Sequence, residues 1–297
     1  ASAACSGQAL ALAPSRGSRK EAAVDLYDGQ GRLLVRHGFG VNDRDDYGIG
    51  TPLTAAVRLR RDGPRGALAA VAGGMVVALD HEMNELWRVE GLEHDFGHEF
   101  HVADLDGDGL DEAAFCTLPH IDGGKALNGG RGLLVILDHD GKDILRRKVT
   151  DYYADTHFDD VAMADFLGDG EIQVCLEKGL LIGLDGGVIW DASKLMDHGQ
   201  WIAHAPNPDG PGRMIFISEL WGSAGKSVLL APDGRKVADV AALPRSRVET
   251  PGCRVIPTRA HAIQWRPDEP FEFFAGEQVT TRWGHDCFAD DAVDVKG

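Results

Sequence analysis

The chain has 297 residues, of which 43% are hydrophobic and 38 are glycines, and its formal net charge at pH 7 is −17. This charge disfavours nucleic acids and anionic membrane surfaces as partners. No stretch approaches the roughly 20 consecutive apolar residues that a membrane-spanning helix requires. Abundant glycine without sustained 3.6-residue periodicity predicts an all-β protein with many tight turns.

Five β-hairpins are predicted along the chain, each made of an apolar run, a turn containing aspartate and a second apolar run. Turns of the Asp-Gly type join antiparallel strands because they accept positive φ angles. The spacings between the turn aspartates are 52, 58, 47 and 48 residues, for Asp28, Asp80, Asp138, Asp185 and Asp233.

A second repeat lies between the hairpins and consists of a strand, an acidic or Pro/Gly-rich loop and another apolar strand. Its copies are at 53–74, 100–117, 160–177, 201–218 and 261–277. Two such strands plus one hairpin make a four-stranded unit of about 50 residues, the size of one propeller blade.

The sequence therefore predicts one β-propeller domain over residues 1–297, with five to seven four-stranded antiparallel blades. The chain begins without a clear first strand and ends without a clear hairpin, so we expect its termini to complete one blade. A solenoid built from the same repeat is the alternative. The blade-like repeats lie near 8–40, 53–92, 99–150, 159–192, 200–242 and 260–290.

The strongest local motif is the acidic loop at 104–112, which predicts a Ca²⁺ site. Oxygen donors at alternate positions can surround a hard cation with six or seven ligands, and glycines allow the sharp turn between them. A solvated acidic turn is the alternative. The loop at 165–173 keeps only part of the donor set, and with the loop at 206–212 is expected to be a structural turn. The predicted ligands are Asp104, Asp106, Asp108, the carbonyl of Leu110, and Glu112.

This DxDGDGxDE loop between apolar strands resembles the FG-GAP/VCBS family of β-propeller repeats. The resemblance implies a Ca²⁺-binding propeller in a secreted or periplasmic protein. Such repeats occur in adhesion modules and in polysaccharide lyases, so the fold alone does not decide the function.

Histidines recur close to the predicted starts of the inner strands, at positions that a propeller would bring to one mouth of its channel. The phrases GHEFHVADLDGDG and DHGQWIAHA resemble those of rhamnogalacturonan lyases and related propeller-fold lyases. That resemblance implies β-elimination on a uronic-acid-containing polysaccharide. The predicted catalytic residues are His157, His261, Arg259, Tyr152 and Tyr153; the predicted substrate-binding residues are His98, His101, His198, Trp201 and Trp221.

Each predicted residue type has a role in such an elimination. Arg259 would neutralise the sugar carboxylate, His157 and His261 would act as base or acid, and a tyrosine would protonate the leaving oxygen. The substrate-binding histidines are alternatively ligands of a second divalent metal such as Zn²⁺.

Two other functions remain open from the sequence. One is a non-enzymatic, Ca²⁺-stabilised propeller that binds carbohydrate or protein. The other is a hydrolase in which Asp159 and Asp160 act as acid and base. The expected partner of the enzyme is an acidic polysaccharide or oligosaccharide, without nucleic acid and without membrane insertion.

Overall fold

Apart from two short 3-10 turns, every regular element in the described part of the chain is a β-strand. A computed structural model describes residues 11–16, 21–28, 30–41, 53–71, 74–92, 95–97, 100–118, 121–122, 125–126, 132–153, 160–196, 199, 201–218, 227–240, 254–263, 272–281 and 284–294. For the first strand and for the strands after residue 253, only the backbone is described. The chain divides into two units, Ala1–Phe158 and Asp159–Gly297.

The first unit contains three main antiparallel sheets and one small hairpin. The first sheet has the order β1 (Ala11–Arg16), β2 (Glu21–Tyr27), β3 (Leu33–Val41), and the second has the order β4 (Leu53–Val57), β5 (Gly66–Val71), β6 (Met75–Leu79), β7 (Glu85–Val89). In the third sheet, β8 (Asp95–Phe96) and β9 (His101–Ala103) both pair with β10 (Glu112–Leu118), which is followed by β13 (Leu133–Leu137) and β14 (Asp143–Lys148). The small hairpin consists of β11 (Ile121–Asp122) and β12 (Lys125–Ala126).

The second unit also contains three antiparallel sheets, each built in chain order. The first is β15 (Val161–Ala164), β16 (Gln173–Leu176), β17 (Leu180–Gly183) and β18 (Val188–Asp191). The next is β19 (Trp201–Pro206), β20 (Arg213–Ser218), β21 (Ser227–Leu230) and β22 (Lys236–Val240). The last is three-stranded, with β23 (Arg254–Ile263), β24 (Glu272–Thr281) and β25 (Gly284–Asp294).

Within each unit, strands of successive sheets are neighbours. Strand β4 contacts β9, β15 contacts β19, and β19 contacts β23. Four-stranded antiparallel sheets that stack in this way are the blades of a β-propeller. The predicted all-β propeller class is confirmed, whereas the single domain, the number of blades and the completion of one blade by both termini stay predictions.

The hydrophobic core lies between successive sheets, and strand β5 shows how one apolar run serves two of them. Ala67 and Ala69 pack towards the first sheet, in a cluster with Val24. Leu68 and Ala70 point the other way and pack with residues of the third sheet, in a cluster with Phe115. Because alternate side chains point to opposite faces, a strand buried on both faces is apolar throughout.

The same arrangement recurs in the second unit. Buried side chains of β16 and β17, including Cys175 and Leu181, pack with Ile215 and Leu230 of the following sheet. The core of this pair of sheets is therefore formed between them, as in the first unit.

All five predicted hairpin turns are present and share one pair of backbone hydrogen bonds. In the turn at 138–142, the Asp138 amide donates to the Lys142 carbonyl and the Gly141 amide donates to the Asp138 carbonyl. This is a three-residue loop with a bulge, whose last loop residue needs positive φ; Gly141 has φ of 80°. In the turn at 80–84 the equivalent residue is Met83, at φ of 67°.

The turns at Asp185 and Asp233 correct the predicted spacing. Their hydrogen bonds begin two residues earlier than the aspartate, at Gly183 and Ala231. There the aspartate accepts the amide of the residue two positions on, whereas Asp138 at a turn's first position accepts the amides of both Asp140 and Lys142. All five turns were predicted, but the spacings between them were measured from aspartates that occupy two different positions of the turn.

The first and last sheets match the predicted repeats less closely than the others. The Asp28 turn joins β2 to β3 and is equivalent to the turns between third and fourth strands, which agrees with a first hairpin that lacks a first strand. The last repeat was predicted to begin near residue 260, but β23 begins at Arg254.

Candidate functional site: the acidic loops and the strand entries

The loop at residues 104–112, called here the first acidic loop, connects β9 to β10. Its turn is made by aspartate side chains that accept backbone amides. The Asp104 carboxylate accepts the amides of Gly107 (2.8 Å) and Gly109 (3.0 Å), and both glycines have positive φ, 77° and 87°. The Asp108 carboxylate accepts the amide of Leu110 at 2.8 Å.

Three carboxylates of this loop converge. Asp104, Asp106 and Asp108 each offer an oxygen atom, and these atoms all lie within 4.8 Å of one another. Ca²⁺ binds oxygen at roughly 2.3–2.6 Å, so ligand oxygens on opposite sides of one ion are separated by about 5 Å. The spacing of these oxygen atoms is therefore compatible with a single Ca²⁺ ion.

Glu112, the last predicted ligand, lies at the start of β10 and is 3% exposed. Its Oε2 accepts the amide of Leu105 at 2.7 Å. Burial, followed by the charges of the three aspartates, raises the pKa of Glu112. A divalent cation would compensate this accumulation of negative charge.

Basic residues close to the first acidic loop were not identified from the sequence as part of it. Arg61 Nη2 lies 3.1 Å from Asp108 Oδ2 and is mostly exposed. His139, in the hairpin turn of the same sheet, has Nδ1 3.8 Å from Glu112 Oε1. The sequence feature that could have indicated these basic residues is the arginine-rich run RLRRDGPRG, at the equivalent position of the preceding repeat.

Asp111 connects the first acidic loop to the preceding sheet. Its Oδ2 accepts the amide of Arg58 at 2.6 Å and a guanidinium N–H of Arg65 at 2.6 Å. Its own amide donates to the Arg58 carbonyl. Asp111 therefore holds two neighbouring sheets together.

The loop at residues 165–173, called here the second acidic loop, connects β15 to β16 with the same turn. The Asp165 carboxylate accepts the amides of Gly168 (2.6 Å) and Gly170 (3.0 Å). Gln173 stands at the position of Glu112, and Leu167 at the position of Asp106. This loop therefore keeps the backbone but lacks two of the five predicted ligands, in line with the expectation of a structural turn.

The loop at 206–212 has a different turn. The amide of Asn207 donates to the Gly212 carbonyl at 2.9 Å, and the Asn207 side chain donates to the Pro211 carbonyl at 3.1 Å. It contains only one carboxylate, Asp209, so it offers no comparable set of oxygen ligands.

Some predicted catalytic and substrate-binding residues lie at strand entries that the structure describes. Trp201 is the first residue of β19 and is half-buried. Tyr152 and Tyr153 are half-buried and follow the 3-10 turn Val149–Asp151, with both amides donating to the Val149 carbonyl.

His101 is the first residue of β9 and pairs with Ala114. Burial lowers the pKa of His101 to about 4, so its ring is neutral at pH 7. A neutral imidazole can hydrogen-bond a sugar hydroxyl or bind a metal, but it does not neutralise a substrate carboxylate.

Four predicted site residues, His98, His157, His198 and Trp221, lie outside the described residues. For Arg259 and His261 only the backbone is described, within β23, where they pair with Gly276 and Phe274. The prediction placed His261 at the start of an inner strand. It lies instead two residues before the end of β23, because this strand begins earlier than the sequence pattern indicated.

Asp160, proposed from the sequence as half of a hydrolase pair, has a structural role. It is 5% exposed, and its Oδ2 accepts the amide of Ile202 at 2.8 Å while Oδ1 accepts that of Val161 at 2.9 Å. The side chain therefore links β15 to β19. Its predicted partner Asp159 lies outside the described residues.

In the described part of the chain, no helix has the length and apolar character needed to cross a membrane. The chain matches no protein-family model, and no curated protein sequence matches it.

Several solved structures resemble the chain at low sequence identity. BBS1N, solved in complex with ARL6DN, has a TM-score of 0.51 and 11% identity, over 96% of this chain and 78% of that chain. The exotype rhamnogalacturonan lyase YesX has a TM-score of 0.46 and 14% identity, over 95% of this chain and 65% of that one. The Dos1 propeller has a TM-score of 0.48 and 10% identity, over 93% and 69% of the two chains. The chain spans 65% of the length of the rhamnogalacturonan lyases YesW and YesX.

Proposed function

We propose that this chain is a Ca²⁺-stabilised β-propeller that serves as a binding platform for acidic carbohydrate, with one ion held by the first acidic loop. The observation that carries the metal site is the convergence of Asp104, Asp106 and Asp108 within 4.8 Å. The Leu110 carbonyl and Glu112 complete an all-oxygen donor set, which suits a hard cation such as Ca²⁺ rather than Zn²⁺.

The ion would act on stability rather than on chemistry. The first acidic loop follows β9, and Asp111 in the same loop already bonds to Arg58 and Arg65 of the preceding sheet. A cation that fixes this loop therefore also fixes the connection between two sheets. The carbohydrate part of the proposal rests on the resemblance of the phrases GHEFHVADLDGDG and DHGQWIAHA to those of rhamnogalacturonan lyases.

The test is thermal unfolding of the wild type with Ca²⁺ and with a chelator, together with calorimetric titration of the metal-free protein. A site occupied at 100 times its dissociation constant adds about 2.7 kcal/mol to the free energy of unfolding. We expect Ca²⁺ to raise the Tm of the wild type but not the Tm of Asp108→Asn. The matched control is Asp169→Asn, the equivalent change in the second acidic loop, which should keep the effect.

Equal melting temperatures in Ca²⁺ and in chelator would contradict the metal site and leave the loop as a solvated acidic turn. A Ca²⁺ effect retained in Asp108→Asn would place the ion elsewhere.

A polysaccharide lyase is the second candidate, supported by the types of side chain found at the described strand entries. Residues with hydrogen-bonding side chains start or precede first strands: His101 starts β9, Trp201 starts β19, and Tyr152 and Tyr153 precede β15. Trp201 and the buried Asp160 enter adjacent strands of the second unit and therefore lie at the same end of those two strands.

In β-elimination, a base removes the proton on C5 of the uronate, the C4–O bond breaks, and an acid protonates the leaving oxygen. His101 is neutral at pH 7 and too weakly basic for the first step, so the base would be His157 or His261. Arg259 would neutralise the carboxylate, and Tyr152 or Tyr153 would supply the proton.

The lyase is tested by the ultraviolet absorbance of the unsaturated product during incubation with uronic-acid polysaccharides. If the chain is a lyase, the absorbance increases with the wild type and this increase is lost in His157→Ala. His81→Ala, in an exposed hairpin turn, is the control and should retain activity. Binding without any absorbance change across the polysaccharides would identify a binding module.

A further inference from the structure

We infer that Gln173 replaces a bound cation in the second acidic loop, so that this loop folds without metal while its counterpart responds to Ca²⁺. The inference deepens the proposed metal site and rests on it for the first acidic loop only. For the second acidic loop it rests on hydrogen bonds that are present in the structure.

The two loops are equivalent residue by residue. Each begins with an aspartate that accepts the amides of the fourth and sixth loop residues, and both of these are glycines at positive φ. In each, the ninth residue accepts the amide of the second: Glu112 from Leu105 at 2.7 Å, and Gln173 from Phe166 at 2.7 Å. The backbone is therefore the same, and the difference lies in the side chains.

Gln173 makes one contact that a glutamate cannot make. Its Oε1 accepts the amides of Phe166 and Leu167, while its Nε2 donates to Asp169 Oδ1 at 3.0 Å. Asp169 is the equivalent of Asp108. A carboxylate at position 173 has no proton to donate, and would repel Asp169 unless a cation lay between them.

The charge of the two loops agrees with this assignment. The first acidic loop contains five carboxylates (Asp104, Asp106, Asp108, Asp111, Glu112), and the second contains three (Asp165, Asp169, Glu171). Gln173 is 2% exposed, whereas Asp169 is exposed, so the hydrogen bond between them is partly buried. A buried amide donor and fewer charges reduce the repulsion that a cation would otherwise have to offset.

Packing is an independent difference. A Cβ atom added to Gly168 would lie 2.2 Å from the amide nitrogen of Gly212 and 2.6 Å from Pro211 Cβ, whereas one added to Gly107 has nothing within 4 Å. The amide of Arg213 also donates to the Phe166 carbonyl at 2.9 Å. The following sheet therefore supports the second acidic loop directly, whereas a Cβ atom at Gly107 of the first acidic loop would meet no such contact.

The experiment compares Gln173→Glu with its mirror, Glu112→Gln, in the full chain, by Tm in chelator and in Ca²⁺ and by calorimetric stoichiometry. We expect the wild type to bind one Ca²⁺ at these loops. Gln173→Glu should lower Tm in chelator by several degrees, since a loss of about 1 kcal/mol corresponds to roughly 2–4 °C in a domain of this size. Glu112→Gln should abolish the Ca²⁺-dependent increase in Tm without lowering Tm in chelator.

The double variant Leu167→Asp, Gln173→Glu should bind a second Ca²⁺ ion. Its Tm should be lower than that of the wild type in chelator and should be restored by Ca²⁺. An unchanged Tm of Gln173→Glu in chelator would overturn the inference. The inference would also be overturned if the wild type bound two Ca²⁺ ions and Asp169→Asn bound only one. That measurement does not require Gln173→Glu to fold. A wild type that binds no Ca²⁺, with Gln173→Glu still destabilised in chelator, would reject the proposed metal site and support the role of Gln173.

Discussion

The first and second acidic loops have the same backbone and different side chains, and the comparison separates folding signals from ligand signals. The positions that both loops share are the first aspartate and two glycines, and these make the turn. The positions that differ, Asp106 against Leu167 and Glu112 against Gln173, change the charge without changing the hydrogen bonds to the backbone. An acidic Gly-rich loop between two strands thus identifies the turn, and only the third and ninth residues predict the ion.

The largest difference in stability between the two loops is expected when the shared glycines are replaced by alanine. Gly107→Ala has open space and loses only the freedom of its positive φ, about 1–2 kcal/mol. Gly168→Ala adds an overlap with the backbone of Gly212, so we expect a loss of several kcal/mol. Denaturant unfolding of the two variants measures the difference. Equal losses would show that the contact between the second acidic loop and the 206–212 loop does not contribute to stability.

Alanine at the shared aspartates should have the next largest effect. Asp165→Ala leaves the amides of Gly168, Asp169 and Gly170 without their acceptor, a loss of about 1–3 kcal/mol that is the same in Ca²⁺ and in chelator. Asp104→Ala should cost more in Ca²⁺ than in chelator, because it also removes a ligand. Thermal unfolding of both variants in the two buffers checks the prediction, which fails if Asp165→Ala shows the larger Ca²⁺ dependence.

The strands that lead into the two loops should differ in their response to acid. His101 stands where the second unit has the buried Ala162, and burial lowers the pKa of His101 from 6.5 to about 4. Between these two values the unfolded chain binds a proton that the folded chain excludes. The free energy of unfolding should therefore fall as the pH falls from 6.5 to 4, by up to about 1.4 kcal/mol per pH unit.

His101→Ala isolates this contribution of the histidine from the carboxylates that titrate in the same range. The difference in free energy of unfolding between wild type and variant should be constant above pH 7 and change in favour of the variant below pH 6. A difference independent of pH would mean that the pKa of His101 is the same in the folded and the unfolded chain.

The smallest expected effect concerns Arg61. Its guanidinium bonds to Asp108 from an exposed position, and exposed ion pairs contribute about 0–1 kcal/mol to stability. Arg61→Ala should therefore leave Tm in chelator almost unchanged. Because it removes a positive charge that competes for a predicted ligand, it should strengthen Ca²⁺ binding in calorimetric titration. Weaker binding would show that Arg61 orients Asp108 for the ion.

Most of the strands and all five hairpin turns were predictable, because their signals are local. Turns such as that at Asp138 depend on residues within five positions of one another, and strands buried on both faces read as continuous apolar runs. The error at β23 arose where the pattern is weakest, since Arg254–Ile263 mixes polar and apolar residues and contains a proline.

The candidate site was predictable only in part, for the same reason. The ligands of the first acidic loop lie within nine residues, so their convergence follows from the turn. Asp111 has carboxylate chemistry like its neighbours, but its bonds to Arg58 and Arg65 come from a different sheet. The sequence likewise allowed Asp160 to be an acid or base, because the amide that its carboxylate accepts belongs to Ile202, a residue distant in the chain.

The sequence by itself determined the strand order, the turns and the first acidic loop, because each is specified by residues that are close in the chain. The tertiary structure decided which carboxylates remain available, since arginines, backbone amides and Gln173 compete for them from neighbouring strands and sheets. It also decided that His101 is neutral, because the pKa of a histidine depends on how much of its ring the surrounding sheets remove from water.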